Sequence, residues 1–207
     1  MSDPKVDEVK KKVEEMIASG KRAGYAEAAA NLQHYMTGGG KKRTMPAAAF
    51  NSEDFLLKHL KTKHLEKFLA GAEKRIKSGK LKGGKSSDMD WTDSVYAASN
   101  SKLFYALGGF TVRSDVTVEG EAIPGDDSGM IIRFIKWTVV CSDRYDWDKG
   151  KSTYVPGFGD VEDEDLALLS KAGAKPFDIE SEKMEMLKEM SKSKPFIGGR
   201  PEVFVKT

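Results

Sequence analysis

FTVRSDVTVEGEAIPGDDSGMIIRFIKWTVVC, residues 110–141, is the stretch that decides the fold class. From Phe110 to Glu119 the chain alternates: Phe110, Val112, Ser114, Val116 and Val118 fall on one side, and Thr111, Arg113, Asp115, Thr117 and Glu119 on the other. That period of two predicts a half-buried antiparallel strand. The IPGDDSG segment turns the chain, and MIIRFIKWTVVC, apolar on both faces apart from Arg133 and Lys136, predicts a more central strand. Upstream the period is helical. Val6, Val9, Val13, Met16 and Ile17 share a helix face behind an Asp3-Pro4 cap, with Gly20 as the stop. Tyr25, Ala28, Ala29, Leu32, Tyr35 and Met36 form a second stripe that GGG ends. NSEDFLLKHLKTKHLEKFLAGAEKRI predicts a third helix capped by Asn51 or Ser52. Gly79 to Asp90 is Lys, Gly and Ser rich and predicts a flexible connection. Short helices are expected over 162–171 and 181–192. Helices followed by strands imply an α+β protein with an antiparallel sheet.

The 207 residues suffice for one sizeable domain, alone or with a helical extension. The 34 basic and 32 acidic residues leave a formal charge of +2, which argues against a nucleic-acid partner. Residues 52–87 are locally basic, and predict either a solvated helix face or attraction to an anionic membrane surface. One cysteine, Cys141, leaves no internal disulfide. No long apolar run or signal peptide is read, so the expectation is cytoplasmic synthesis, with lysis or specialised secretion for action elsewhere.

Most motifs dissolve on inspection. GKLKGGKS, Gly79 to Ser86, has the spacing of a phosphate loop but lacks a buried strand before it and a helix after it. GGGKKR, Gly38 to Arg43, reads as a helix stop. His59 and His64 stand five apart, on divergent faces of an α-helix, without a carboxylate to complete a zinc set. His34 lies in an apolar stripe and reads as a satisfied core histidine or a partner for a distant loop. That loop begins where the second strand ends: SDRYDWDKGKS alternates acids with aromatics. Asp143 and Asp146, three apart around Tyr145, can bind a divalent metal or share proton transfer.

Taken together, AAANLQHYMTGGG, YAASNSKLFYALGGFTVRSDVTVEG, SDRYDWDKGKS and LALLSKAGAKPFDI resemble, in that order, segments of the toxic domain of colicin M-type bacteriocins. The resemblance spans about residues 25–180, which leaves 1–24 as a helical extension and 181–207 as a C-terminal helix and tail. It implies a helical N-terminal half packed on an open, barrel-like antiparallel sheet. It also implies a hydrolase that cuts lipid II, a lipid-linked peptidoglycan precursor, between polyprenol and pyrophosphate in the periplasm of a target bacterium. Divalent metal assistance, Mg²⁺ in the first place, and an immunity protein as partner belong to the same implication. By position Asp143, Tyr145 and Asp146 match the family's catalytic core, with Asp143 and Asp146 as metal ligands. Arg144, Lys149 and Lys151 are then the cations available to the pyrophosphate. The chain departs from the family where a His-Arg pair follows this core, because Ser152 and Thr153 occupy those positions. Neither replaces an imidazole or a guanidinium. A catalytically degenerate module that binds lipid or a partner is therefore the alternative.

Overall fold

The computed structural model describes residues 3–51, 53–82, 85–123, 126–147, 150–187 and 202–206, with backbone alone for 121–123, 126–130 and 202–206. The chain divides into two compact units: 1–49, 96–110 and 142–181 form the first, and 50–95, 111–141 and 182–207 the second. Among the described residues one seven-stranded sheet has the order β1-β7-β4-β3-β2, with β8 and β9 pairing to β4: β1 is Arg43–Met45, β2 Lys85–Tyr96, β3 Gly109–Ile123, β4 Asp126–Tyr145, β7 Phe177–Ser181, β8 Met184–Glu185 and β9 Glu202–Lys206. The sheet is open and does not close into a barrel. The α+β class stands, with one difference: β1 runs parallel to β7, while β4 pairs antiparallel with β7, β8 and β9, so the sheet is mixed. A three-residue strand has too few positions to show a period, which is why β1 is invisible in sequence. No described helix is long and apolar enough to cross a membrane.

In the first unit, α1 (Pro4–Arg22) buries Val6, Val9, Val13 and Ile17, and Asp3 caps it by accepting the Lys5 N–H at 3.1 Å. The helix α2 (Ala26–Thr37) buries Ala29, Asn31, Leu32 and Tyr35. Asn31 is polar but satisfied. Its Nδ2 donates to the Ala106 carbonyl at 2.8 Å, and its Oδ1 accepts from Arg43, whose other Nη donates to Glu27 Oε2 at 2.6 Å. A half-buried cation is tolerated here because a carboxylate and an amide share it. A small hairpin, β5 (Ser152–Val155) with β6 (Gly159–Glu162), leads into α6 (Asp163–Ala167) and a 3₁₀ turn, Leu168–Ala172. Of the helix expected over 181–192, Ser181 belongs to β7 and Met184–Glu185 to β8, and 188–192 lie outside the described residues.

In the second unit the alternation read from sequence is the burial found: Val112, Ser114, Val116 and Val118 of β3 are all buried. In β4 the buried positions are Ile132 and Phe134, then Trp137, Thr138 and Val139 in succession, then Cys141, so simple alternation fails from Ile135 onward. Trp137 stands edge-on to Phe68, centroids 5.4 Å apart, and stacks on Phe134 at 5.9 Å. Full burial of such a ring contributes about 1.5–3 kcal/mol. Its Nε1–H donates to Ser114 Oγ at 3.2 Å, which satisfies the one polar residue in the row of valines.

The third helix is not continuous. After the single turn α3 (Ala48–Asn51) it starts as α4 (Asp54–His59), passes through a π-turn, Leu60–His64, and resumes as α5 (Leu65–Lys77). Glu53, rather than Asn51, precedes its first turn, and Ser52 lies outside the described residues. Lys85 opens the strand β2 and not a helix, so GKLKGGKS has no helix N-terminus with which to hold phosphate.

Candidate active site

The site is built where β4 ends in the first unit. Its last residues pair with β7 in the register Asp143 opposite Ile179, Arg144 opposite Asp178 and Tyr145 opposite Phe177. Opposed residues share a face. Asp143 and Tyr145 therefore lie on the face that buries Ile179 and Phe177, and Arg144 on the other. The parallel register of β1 extends that row, since Arg43 is also opposite Ile179.

A cavity of about 350 Å³ opens on this strand end. Asp143, Arg144, Tyr145, Asp146, Trp147 and Lys151 line it, together with Thr153 and with Asp163, which sequence reading did not single out; the signal for Asp163 is only its place after β6. Its remaining wall is largely apolar, from Met16, Leu32, Phe104, Pro156 and Phe158 among others, with Tyr25 set edge-on to Tyr105 at 5.3 Å. Lys149 lies outside the described residues.

Burial governs the electrostatics. The Asp143 carboxyl is pushed up to about 7, first by desolvation and further by the charge of Asp146, against the opposing backbone N–H of Arg144. Near neutral pH it therefore exists in both forms, the condition for proton transfer in either direction. The Tyr145 phenol is raised far above its ordinary value, again by burial first, and stays protonated. Its ring is held by Phe177 at 5.0 Å and Trp147 at 5.2 Å, and Tyr35 joins the cluster at 6.1 Å from each of Tyr145 and Trp147. Trp147 brings a buried Nε1–H that meets no acceptor among the described residues.

Two of the residues read from sequence are already engaged. Arg144 donates to Asp178 at 2.8 Å across the strand pair, so its guanidinium turns away from the face that carries Asp143. The ring of His34 stands edge-on to Phe177 at 4.5 Å, and its Nε2 is bonded to the Lys41 carbonyl at 2.7 Å. His34 does not line the cavity, so it does not stand in for the missing imidazole. Tyr35, one residue on, is what α2 presents to the loop. In the hairpin Thr153 lines the cavity and Ser152 does not, as alternation along β5 requires.

Comparison with known proteins finds no matching family model and no matching curated protein. Its structural neighbours are colicin M-like bacteriocins. PaeM, a colicin M-like bacteriocin produced by Pseudomonas aeruginosa, is 15% identical over 87% of this chain and 51% of that one, with a TM-score of 0.42. A truncated bacteriocin syringacin M from Pseudomonas syringae pv. tomato DC3000 is 17% identical over 87% of this chain and 60% of that one, with a TM-score of 0.45. The chain thus spans between about half and three fifths of the length of these two proteins.

Proposed function

We propose that the chain is a colicin M-like toxin domain that hydrolyses lipid-linked pyrophosphate, lipid II in the first place, releasing the polyprenol. One observation carries the reading: a single cavity joins an apolar wall to a strand end bearing Asp143, Tyr145, Asp146 and Lys151. A polyprenyl pyrophosphate has the same two halves. In this assignment Asp143, poised near pH 7, exchanges a proton with the attacking water or the departing polyprenol oxygen. Tyr145 keeps its proton and orients the strand end through its stack on Phe177. Lys151 meets phosphate oxygens. The donor set suits Mg²⁺, which is commonly held by one or two carboxylates plus substrate phosphates; Asp146 would hold it with the phosphates, leaving Asp143 its proton, since a directly bound cation would keep that carboxyl ionised. Bound there, Mg²⁺ would neutralise pyrophosphate charge.

A second reading, a binding module that holds the lipid without cutting it, is favoured by the engagement of Arg144 with Asp178 and by the chemistry of Ser152 and Thr153. Incubation of the purified chain with lipid II and Mg²⁺, followed by chromatography for free polyprenol, separates the two. Polyprenol released at a rate that rises with protein concentration supports hydrolysis. Retention of intact lipid II on the protein supports the module, and neither release nor retention removes both.

A further inference from the structure

The two other histidines of the chain meet in the second unit. In an α-helix, residues five apart point about 140° from one another. The π-turn abolishes that divergence: the Leu65 N–H reaches back to the Leu60 carbonyl, one residue further than an α-helix allows, and His59 and His64 come round to the same side. Their rings lie 5.4 Å apart, and β2 brings Asp93 to them.

We infer that His59, His64 and Asp93 form a binding site for a divalent transition cation, zinc above all. One ligand atom from each lies within 4.8 Å of the others. His59 Nε2 is already 3.4 Å from Asp93 Oδ2. Ligands about 2.0–2.1 Å from a tetrahedral zinc stand roughly 3.3 Å apart, so small side-chain rotations bring the third atom in. The second observation is independent of this spacing. His64 is fully buried and its Nε2 makes no hydrogen bond among the described residues, while the buried Nε2 of His59 has the Asp93 carboxylate beside it without a hydrogen bond. A buried ring nitrogen without a partner needs a reason.

The surroundings aim the donors. His64 Nδ1 lies 2.8 Å from Ser114 Oγ, which also accepts the Trp137 N–H at 3.2 Å. A hydroxyl oxygen has two lone pairs, so Ser114 can accept from both, and in the tautomer that donates from Nδ1 the lone pair of His64 lies on Nε2. Asp93 Oδ1 accepts the Ser94 N–H at 2.8 Å, which turns Oδ2 toward His59. Such outer hydrogen bonds are what fix metal-ligating imidazoles and carboxylates. Two imidazoles and one carboxylate suit zinc and its neighbours rather than magnesium or calcium, which take oxygen ligands. The Asp93 side chain is 39% exposed, so a solvent ligand can complete four-coordination. The ion would tie the π-turn to β2.

The test uses the untagged full chain, stripped with a chelator, and zinc chloride as titrant in calorimetry. One ion per chain is expected, with a dissociation constant below about 1 μM, and a raised melting temperature. Cobalt chloride should give the intense visible bands of a tetrahedral site, and excess magnesium chloride should not displace the bound zinc. Asp93→Asn and His59→Gln, both at partly exposed positions, should each weaken zinc binding at least about tenfold. His34→Gln and Asp143→Asn should leave it unchanged, which separates this site from the cavity in the first unit. Failure of the native chain to bind zinc, or equal affinity in Asp93→Asn and His59→Gln, would overturn the assignment and leave His59 and Asp93 as an ion pair.

Discussion

Each unit sets a titratable side chain where burial keeps it from charging, Asp143 in the first and His64 in the second, and the consequences are opposite. Desolvation raises Asp143 in the first unit to about 7, and lowers His64 in the second to about 4. A carboxyl so placed stands at its midpoint under physiological conditions and can move protons. An imidazole so placed is neutral throughout and can only offer a lone pair or a hydrogen bond. The cause is one and the same, the cost of charge in a poorly solvated site, and the side chain's own chemistry decides whether the result is a proton carrier or a fixed donor.

The largest expected effect falls on the proton carrier. If the proposed hydrolysis is correct, Asp143→Asn keeps the shape and polarity of the group but not its proton, and polyprenol release from lipid II should fall by roughly 10²–10⁴-fold. Unchanged turnover in this variant would break the comparison, because Asp143 would then be a buried carboxyl without a task.

On the His64 side the expected effect is on folding. With His64→Ala, Ser114 loses a partner and a void opens beside Phe68, so denaturation in chelator at pH 7.5 should show a loss of about 2–4 kcal/mol. The sign with pH follows from the lowered folded value. The unfolded chain takes up a proton near the ordinary 6.5 while the folded chain resists it until about 4, so His64 destabilises the fold as pH falls through that window. The variant lacks that linkage, and its deficit should shrink toward pH 5. A constant deficit would mean that His64 is solvated in the native protein.

How much of this the sequence disclosed follows the same division. The Asp143–Asp146 core is legible because its chemistry is contiguous: four neighbouring residues stand at the end of β4, a strand that the apolar run MIIRFIKWTVVC announces. The face assignment of Arg144 was not legible, since it depends on pairing with Asp178 thirty-four residues away. The His59–His64 pair was read as divergent because the reading assumed α-helical spacing throughout. A π-turn is one residue's worth of extra winding, with no composition of its own, and nothing in LKTKH announces it. The parallel strand β1 escaped for a related reason, as three residues after a glycine run carry no period.

Asp143 also bears on stability, with the opposite sign. Its folded value lies above the ordinary 3.8, so the folded chain binds the proton more tightly. The stability that this group contributes is full below about 3.8 and is lost as pH rises to about 7. Asp143→Asn should therefore stabilise the protein at pH 8 by about 1–2 kcal/mol relative to pH 4, allowing for solvent screening of a half-buried group. Chemical denaturation of both proteins in chelator at the two pH values reads this directly. The two variants together sharpen the contrast: His64→Ala flattens the acid limb of the native profile and Asp143→Asn the limb that descends toward neutrality.

The smallest effect separates two neighbouring positions. Where the colicin M family that this chain resembles has His-Arg, Ser152 and Thr153 stand here, and the two do not face the same way. Thr153 lines the cavity, whereas Ser152 is exposed on the other side of β5. Thr153→Arg should set a guanidinium among Asp143, Asp163 and the incoming pyrophosphate, and raise polyprenol release by about threefold to tenfold, the lower part of what one added charge-stabilising donor contributes. Ser152→His places an imidazole toward solvent, out of reach of a bound phosphate, and should change release by less than about twofold. The same arginine at 153 also brings positive charge near Asp143, which favours its ionised form, so the pH midpoint of the activity should move down in Thr153→Arg and stay put in Ser152→His. A gain from Ser152→His alone would show that β5 turns its other face to the substrate. An unmoved midpoint in Thr153→Arg would show that the cavity does not bring position 153 to Asp143.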